Sequence, residues 1–451
     1  MRRSHMAAVA LAAAAAVCGL AGCTKDEGEI EKGKLSILEK ENPEDETELS
    51  VLYTGENIGW TAAMEELCEE FTSEHPGISI VTEHSNNGSY TEQLKAKEAL
   101  GEFPDIFEIE DPYMFLEADK LGLISADLGK LAKNPIQIDG AVYTLPFYDT
   151  SIGIIYNQVI FKQYGLSVPA TYDEFISVCE TLKENHVAPL AVGGSRSDTN
   201  SNWLNYFFLT RVEAKNPGWQ KKREAGEVSF QDEDMLEVLE EYQEFMSGSF
   251  VLEDSINMND NQIIVQLLNQ KAAMFLTEPS MFTEILESYP LASESDKTTL
   301  GEELEEDPVQ FRMGWFYMPD QKGEPVVIHK SGSQLAISRE CAADPEKKAA
   351  AEKFLKFSYQ KENYRKILQA MYAMPTTKDA VLYAAPIVQQ NLLTSYRYAD
   401  KIETYFGNFE TPENFTQDME NILYSLATNT IHVETAARRL DESWNDAQTI
   451  H

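Results

Sequence analysis

Between Leu49 and Ile109 the sequence alternates strand-like and helix-like segments, and that order restricts the fold more than any other feature. Leu49-Ser50-Val51-Leu52-Tyr53 has the apolar, β-favouring character of a strand. A helix over 60–74 follows, with Met64, Leu67 and Phe71 on one face, and His75-Pro76-Gly77 ends it. Ile78-Ser79-Ile80-Val81 is the next strand, 90–100 the next helix, and Pro104-Asp105-Ile106-Phe107-Glu108-Ile109 a buried strand. A β-α-β-α-β order argues for a largely parallel sheet with covering helices, the α/β class.

The alternation continues downstream. Val142 to Pro146 and Ile152 to Tyr156 read as strands. Thr171-Tyr172-Asp173-Glu174 has the form of a capping box and opens a helix to about Asn185. Pro189 to Val192 is a strand ending at Gly193-Gly194, with helices near 201–212 and 232–247. Strands are expected at Ala272 to Leu276, Phe311 to Met318 and Gln334 to Ser338, and Ala343 to Ala370 reads as mostly helix. Helices near 412–426 and 433–447 close the chain, and the acidic stretch 291–308 reads as a surface insertion. A chain of 451 residues outgrows a single hydrophobic core, so at least two domains are expected.

The N-terminus has its own character. Arg2 and Arg3 precede an apolar run from Ala7 to Val17, and Leu20-Ala21-Gly22-Cys23 follows. This is the layout of a signal peptide, too short to span a bilayer as a mature helix. Leu-Ala-Gly-Cys resembles the bacterial lipobox, which implies cleavage before Cys23 and acylation of that residue, leaving 1–22 as a removed leader. Several acyl chains hold a protein to a bilayer where one binds marginally. Residues 23–47, rich in Glu, Asp and Lys, read as the lipidated Cys and a disordered acidic tether.

The formal charge of -38 gives a surface that repels nucleic acid and anionic lipid. After Cys18 and Cys23, three cysteines remain at 68, 179 and 341, with no CxxC spacing and no disulfide framework. HExxH, GxSxG, P-loop and EF-hand patterns are absent, and seven scattered His lack metal-ligand spacing. Among 75 acidic residues a chance carboxylate pair is expected, so counting says nothing about glycosidase chemistry. No cofactor or metal is implied.

Aromatic residues gather near expected strand–loop junctions: Trp60, Tyr113, Phe147, Tyr148, Trp203, Tyr206, Trp315 and Tyr317. In open α/β sheets ligands bind outside the carboxyl ends of the strands. An aromatic face packs against the C–H side of a sugar ring, while Asp, Glu and Asn bond its hydroxyls. The same aromatics serve equally well as core or hinge packing.

An ordered set of segments then resembles the solute-binding proteins of bacterial ABC importers, in the maltose-binding-protein-like sugar-binding family 1. The segments are Phe71 to Ile80 (FTSEHPGISI), Phe103 to Ile109 (FPDIFEI), Gly140 to Asn157 (GAVYTLPFYDTSIGIIYN) and Gly165 to Phe175 (GLSVPATYDEF). Gln270 to Ser280 (QKAAMFLTEPS), Ser331 to Ser338 (SGSQLAIS), Glu352 to Tyr359 (EKFLKFSY), Met374-Pro375 and the terminal LDESWNDAQT complete it. The resemblance implies a two-lobed, type II periplasmic-binding-protein-like fold, with mixed, mostly parallel sheets and flanking helices. Its lobes would be interleaved, 48–150 plus 321–372 and 156–315 plus 376–451, joined by hinge segments near 149–155, 316–322 and 371–376. Lobes built this way close about a hinge on a ligand held between them.

Carried over by position, the resemblance implies ligand contacts at Glu56 and Asn57 after the first strand, with Trp60 nearby. It adds Glu110, Asp111 and Tyr113 after the PDI strand, Tyr148 and Asp149 at the first crossing, and Trp203 and Asn205 after the Gly-Gly loop. Trp315 and Tyr317 fall near the second crossing. Where many relatives carry an aromatic after the AAM strand, this chain has Glu278-Pro279-Ser280-Met281, so one stacking platform is missing and Glu278 stands there instead.

The expected protein is a lipid-anchored, monomeric receptor on the outer face of the cell membrane, periplasmic if the host has an outer membrane. It would pass a small carbohydrate to ABC permease subunits and catalyse nothing itself. The alternatives are a cationic or peptide-like solute in the same fold, a surface polysaccharide hydrolase, and a scavenging lipoprotein without a transport partner.

Overall fold

The computed structural model describes residues 46–448 except 56, 86–89, 110–114, 117, 134, 136, 139, 195–197, 289–310, 379–380, 382, 384–386, 403–404 and 409–410. The leader, Cys23, Glu56, Glu110, Asp111, Tyr113 and the 291–308 stretch therefore lie outside the described residues, as does the tether apart from its last two residues.

The opening alternation folds as read. Strands β1 (Thr47–Tyr53), β2 (Ile78–His84) and β3 (Ile106–Ile109) run parallel, β1 lying between the other two. The helix Ile58–Glu74 joins β1 to β2 and buries Trp60, Ala63, Met64, Leu67, Cys68 and Phe71, the spacing that puts one stripe on the sheet. Asn57 caps it, its side chain accepting from the Trp60 amide at 2.9 Å. After a short hairpin of β4 (Gln137–Ile138) and β5 (Ala141–Val142), β6 (Thr144–Pro146) forms the far edge of this first sheet.

The second sheet centres on β7 (Tyr148–Asn157), a ten-residue strand. With β8 (Ala188–Ala191), β9 (Ala272–Thr277), β10 (Met313–Phe316) and β11 (Val327–Ser331) it builds the second lobe. β12 (Gln334–Ile337) then returns to the first sheet, between β3 and β6 and antiparallel to both. β13 (Met374–Pro375) pairs with β7, and β14 (Lys401–Ile402) with β11. The sheets are thus mixed. β1 pairs in parallel with β2 across the helix that links them, whereas β12 meets β3 and β6 antiparallel on the chain's return from the second sheet.

Each sheet is covered on both faces. One apolar cluster joins β1 and β12 to the helices Ile58–Glu74, Pro345–Ser358 and Lys361–Ala370, and a smaller one fills the opposite face of that sheet. In the second lobe, one cluster gathers Ile152, Ile154, Trp203, Phe230 and Trp444. The other gathers Ile155, Phe275, Phe282, Trp315 and Val388. Cys68, Cys179 and Cys341 are buried and unpaired. Among the described residues no helix is long and apolar enough to cross a membrane.

The stretch 343–370 is mostly helix, as read, and forms two helices that meet at Tyr359-Gln360, where the Tyr359 hydroxyl turns inward to donate to the Pro146 carbonyl. One expectation is corrected. The boundary expected at 316–322 falls inside the second lobe. β10 pairs residues 154–157 of β7 and β11 pairs residues 149–152, so both run along the second sheet and the chain enters the first only at Gln334. The intervening turn belongs there too, because Tyr206 donates to the Pro319 carbonyl at 2.7 Å and the Tyr172 amide to that of Asp320 at 3.0 Å.

Candidate functional site

Strand alternation places the site. Even-numbered residues of β7 face one side: Ile154 and Ile152 enter the second lobe's core, and Tyr148 enters the first lobe's core. Between them stands Thr150, paired across the ladder with Lys330. On the odd-numbered side the sequence runs Ile155, Gly153, Ser151, Asp149. A polar belt of Asp149, Thr150 and Ser151 on β7, with His329, Lys330 and Ser331 on β11, therefore separates two apolar cores along the strands that join the lobes.

Lys330 is the centre of this belt. Its ammonium donates to Glu278 at 2.8 Å and to Asp198 at 3.0 Å. Burial works against its charge, but Glu278 and Asp198 more than offset that, so its pKa lies well above the ordinary lysine value. All three side chains keep some exposure, 21 % for Lys330, 16 % for Glu278 and 26 % for Asp198. Glu278 follows the end of β9, and Asp198 precedes the helix Thr199–Phe208. Asp198 sits at the N-cap without capping through its side chain. Glu420 does that work from the helix Glu413–Ala427, accepting the Ser201 amide at 2.9 Å. Burial raises the Glu420 pKa to about 7, against the pull of its bonds from Ser201. On the other face of the belt, His329 meets Asp149 at 3.1 Å and Ser151 bonds the Tyr317 hydroxyl at 2.8 Å.

The first lobe contributes Glu108, a buried carboxylate within β3. One of its oxygens accepts from the Thr54 amide at 2.7 Å, the Thr54 hydroxyl at 3.0 Å and the Trp60 indole at 2.9 Å. Burial raises its pKa, while hydrogen bonds from Ser333, Thr54 and Trp60 pull it down. Ser333 also meets the Tyr148 hydroxyl at 3.1 Å. Glu108 thereby ties the turn after β1 to the segment where the chain crosses between lobes. Gly332 lies in that crossing, against the Tyr148 ring, where a Cβ would collide with it.

The expected contact residues separate into two groups. Asn57, Tyr148, Asp149 and Glu278 lie at strand ends or in the belt. Trp60 stands behind Glu108 as core, 1 % exposed, its ring edge-on to Phe147 and Tyr148. Trp203 and Asn205 are corrected as ligand contacts, since both are 0 % exposed. Trp203 packs against Phe245 at 4.8 Å, and Asn205 spends its amide on the Phe406 backbone, donating to its carbonyl and accepting from its amide at 2.8 Å each. Trp315 is core too, wedged between Gly153 and Phe282, and Tyr317 reaches the belt only through its hydroxyl. The aromatics expected as stacking platforms are thus buried wherever they are described.

Sequence reading passed over Lys330, Asp198, His329 and Glu108. Glu108 had a signal, the one charged residue of the strand Ile-Phe-Glu-Ile. Lys330 had none, because its partners lie 52 and 132 positions away. Among the described residues no group of His, Cys, Asp and Glu gathers as a metal-ligand set.

Comparison with known proteins adds the family. The sequence pattern of the bacterial extracellular solute-binding proteins matches residues 55–365. A multiple sugar-binding protein of Streptococcus mutans is 24 % identical over 323 residues, covering 69 % of this chain and 71 % of the relative. The solved structure of a chitin oligosaccharide binding protein superposes with a TM-score of 0.75 at 18 % identity, covering 90 % of this chain and 100 % of that one. RafE in complex with raffinose superposes with a TM-score of 0.71 at 17 % identity, covering 89 % and 100 %. At such identities these structures speak for the fold alone.

Proposed function

The chain belongs to the bacterial extracellular solute-binding proteins, and from that premise we propose that it captures a small carbohydrate between its lobes and hands it to an ABC permease. The observation that carries this reading is the polar belt at the lobe junction. Donors and acceptors converge where β7 and β11 leave one core for the other, flanked by the carboxyl ends of β1, β3 and β9. A sugar hydroxyl donates and accepts at once, so it needs a mixed set of partners, and one left unpaired in a closed site costs about 1–3 kcal/mol. Asn57, Tyr148, Asp149 and Glu278 remain candidate contacts, together with Glu56, Asp111 and Tyr113. The names of the Streptococcus mutans relative and of the two superposed structures support a sugar as the ligand class.

In this reading Cys23 carries the lipid anchor, and the protein performs no reaction. The acidic tether lets the binding unit range roughly 25–30 Å from the membrane by random-coil scaling, which raises its effective concentration at a permease in the same bilayer. Cys23→Ser releases the protein from cells and abolishes uptake while leaving ligand affinity intact; a variant that stays membrane-bound overturns the anchor.

Calorimetric titration of the purified protein with raffinose, chitotriose and a panel of mono- and oligosaccharides tests the ligand class. Saturable binding with no sugar released or cleaved is expected. Binding of a polyamine or peptide with no response to any sugar sinks the carbohydrate assignment, and release of sugar from polysaccharide sinks the non-enzymatic one.

A further inference from the structure

Thr54 follows β1 directly and stands half-buried at its carboxyl end, the side of an open α/β sheet on which ligands bind. Its backbone amide and its hydroxyl both end on one oxygen of Glu108, at 2.7 and 3.0 Å, and the Trp60 indole ends on the same oxygen at 2.9 Å. An amide N–H and an indole N–H can only donate. The oxygen that receives both is an acceptor, so the Thr54 hydroxyl beside them spends its single proton on it as well. What the Thr54 oxygen retains is its lone pairs. Glu108 is 4 % exposed, and the Tyr90 hydroxyl lies 3.0 Å from the Leu52 carbonyl and 2.9 Å from that of Glu108, which locks β1 against β3 at this level.

We propose that Glu108 is a positioning residue that fixes the Thr54 hydroxyl as an acceptor, so that the carboxyl end of β1 takes the proton of a sugar hydroxyl and rejects a group that cannot donate. The inference rests on the carbohydrate reading above and names the polarity of one contact in that site. A free threonine hydroxyl rotates to donate or accept as its partner requires. Bonded to a carboxylate it is committed, because a charge-assisted bond is costly to redirect. A ligand hydroxyl donating to Thr54 completes a chain from ligand to Thr54 to Glu108, in which each bond polarises the next.

The test uses monodeoxy and monodeoxyfluoro analogues of whichever panel sugar the unaltered full-length protein binds, raffinose and chitotriose first, with affinities from calorimetry. Fluorine accepts weakly and never donates. One hydroxyl position is expected at which the deoxy analogue binds at least tenfold more weakly than the sugar, and the fluoro analogue no better than the deoxy one. Thr54→Val keeps the branched shape and the backbone amide, and brings the sugar and that deoxy analogue to within threefold of each other. Glu108→Met returns the proton to the Thr54 hydroxyl, and the fluoro analogue then binds at least threefold more tightly than the deoxy one. Glu108→Gln sets a carbonyl oxygen among the same donors and keeps the unaltered order of the three ligands. Loosened packing weakens all three ligands together and cannot reverse the order of the last two. If Glu108→Met fails to fold, Thr54→Val and Glu108→Gln carry the test. A fluoro analogue that outbinds the deoxy one in the unaltered protein overturns the polarity. A reversed order in Glu108→Gln, or the unaltered order in a folded Glu108→Met, overturns the positioning role. If Thr54→Val makes no position indifferent, the contact itself is overturned. Each of these leaves the carbohydrate reading standing, whereas binding of no sugar in the panel overturns that reading and this inference together.

Discussion

The carboxylate of Glu284 in the second lobe accepts a hydrogen bond from the backbone amide of Ile58, the first residue of the first lobe's leading helix, at 2.8 Å. Beside it the Thr283 hydroxyl donates to the Ala370 carbonyl at 2.6 Å, and the Phe282 ring meets Tyr372 edge-on at 5.0 Å. These contacts hold the helix Met281–Ser288 against the first lobe. A carboxylate at a helix N-terminus contributes about 1 kcal/mol. Glu284→Ala is therefore expected to shift the balance of lobe positions about fivefold toward separation, read as longer distances between fluorophores placed on the outer surface of each lobe. Unchanged distances count against a role for this contact in lobe position.

At the crossing itself, Gly332 lets the Tyr148 ring lie against the backbone, with the Gly332 amide donating to the Tyr148 carbonyl at 2.9 Å. Gly332→Ala forces a methyl into that ring. The expected cost is about 1–3 kcal/mol of stability, read by urea denaturation. Adding Tyr148→Ala recovers part of the loss, a non-additivity expected for residues in contact.

Glu420 ties stability to pH. Its ordinary value of 4.5 rises to about 7 in the folded protein, so between those values the native state holds a proton that the unfolded state releases. Its contribution is therefore fully present below about 4.5 and is lost as pH rises through 7. The ceiling is roughly 3 kcal/mol. Glu420→Gln, which imitates the protonated form, should flatten the stability profile across this window and exceed the unaltered protein above pH 7. Thermal denaturation at stepped pH measures this, and parallel profiles for the two proteins contradict it.

Asn205 separates packing from recognition. Asn205→Ala leaves the buried amide and carbonyl of Phe406 unpaired, a loss on the order of 3 kcal/mol. Ligand affinity should be unchanged at temperatures where the variant remains folded. An affinity loss beyond tenfold in calorimetry returns Asn205 to the ligand-contact set.

The sequence by itself determined the fold class, because the alternation of period-2 and period-3.6 apolar patterns is a local property. It placed β1 to β3, the helix Ile58–Glu74 and the start of the helix Tyr172–Glu184, where Thr171 accepts from the Glu174 amide at 3.2 Å. It also carried the ordered segments by which the family is identified. Only the tertiary structure decided the site. An aromatic such as Trp203 is equally suited to core and to ligand, and burial, not residue type, assigns it. The β10–β11 stretch reads as an approach to the hinge, yet its ladder to β7 keeps it in the second lobe. Lys330 gains its meaning from carboxylates brought from Glu278 and Asp198, and no local pattern records a contact closed by three separate elements.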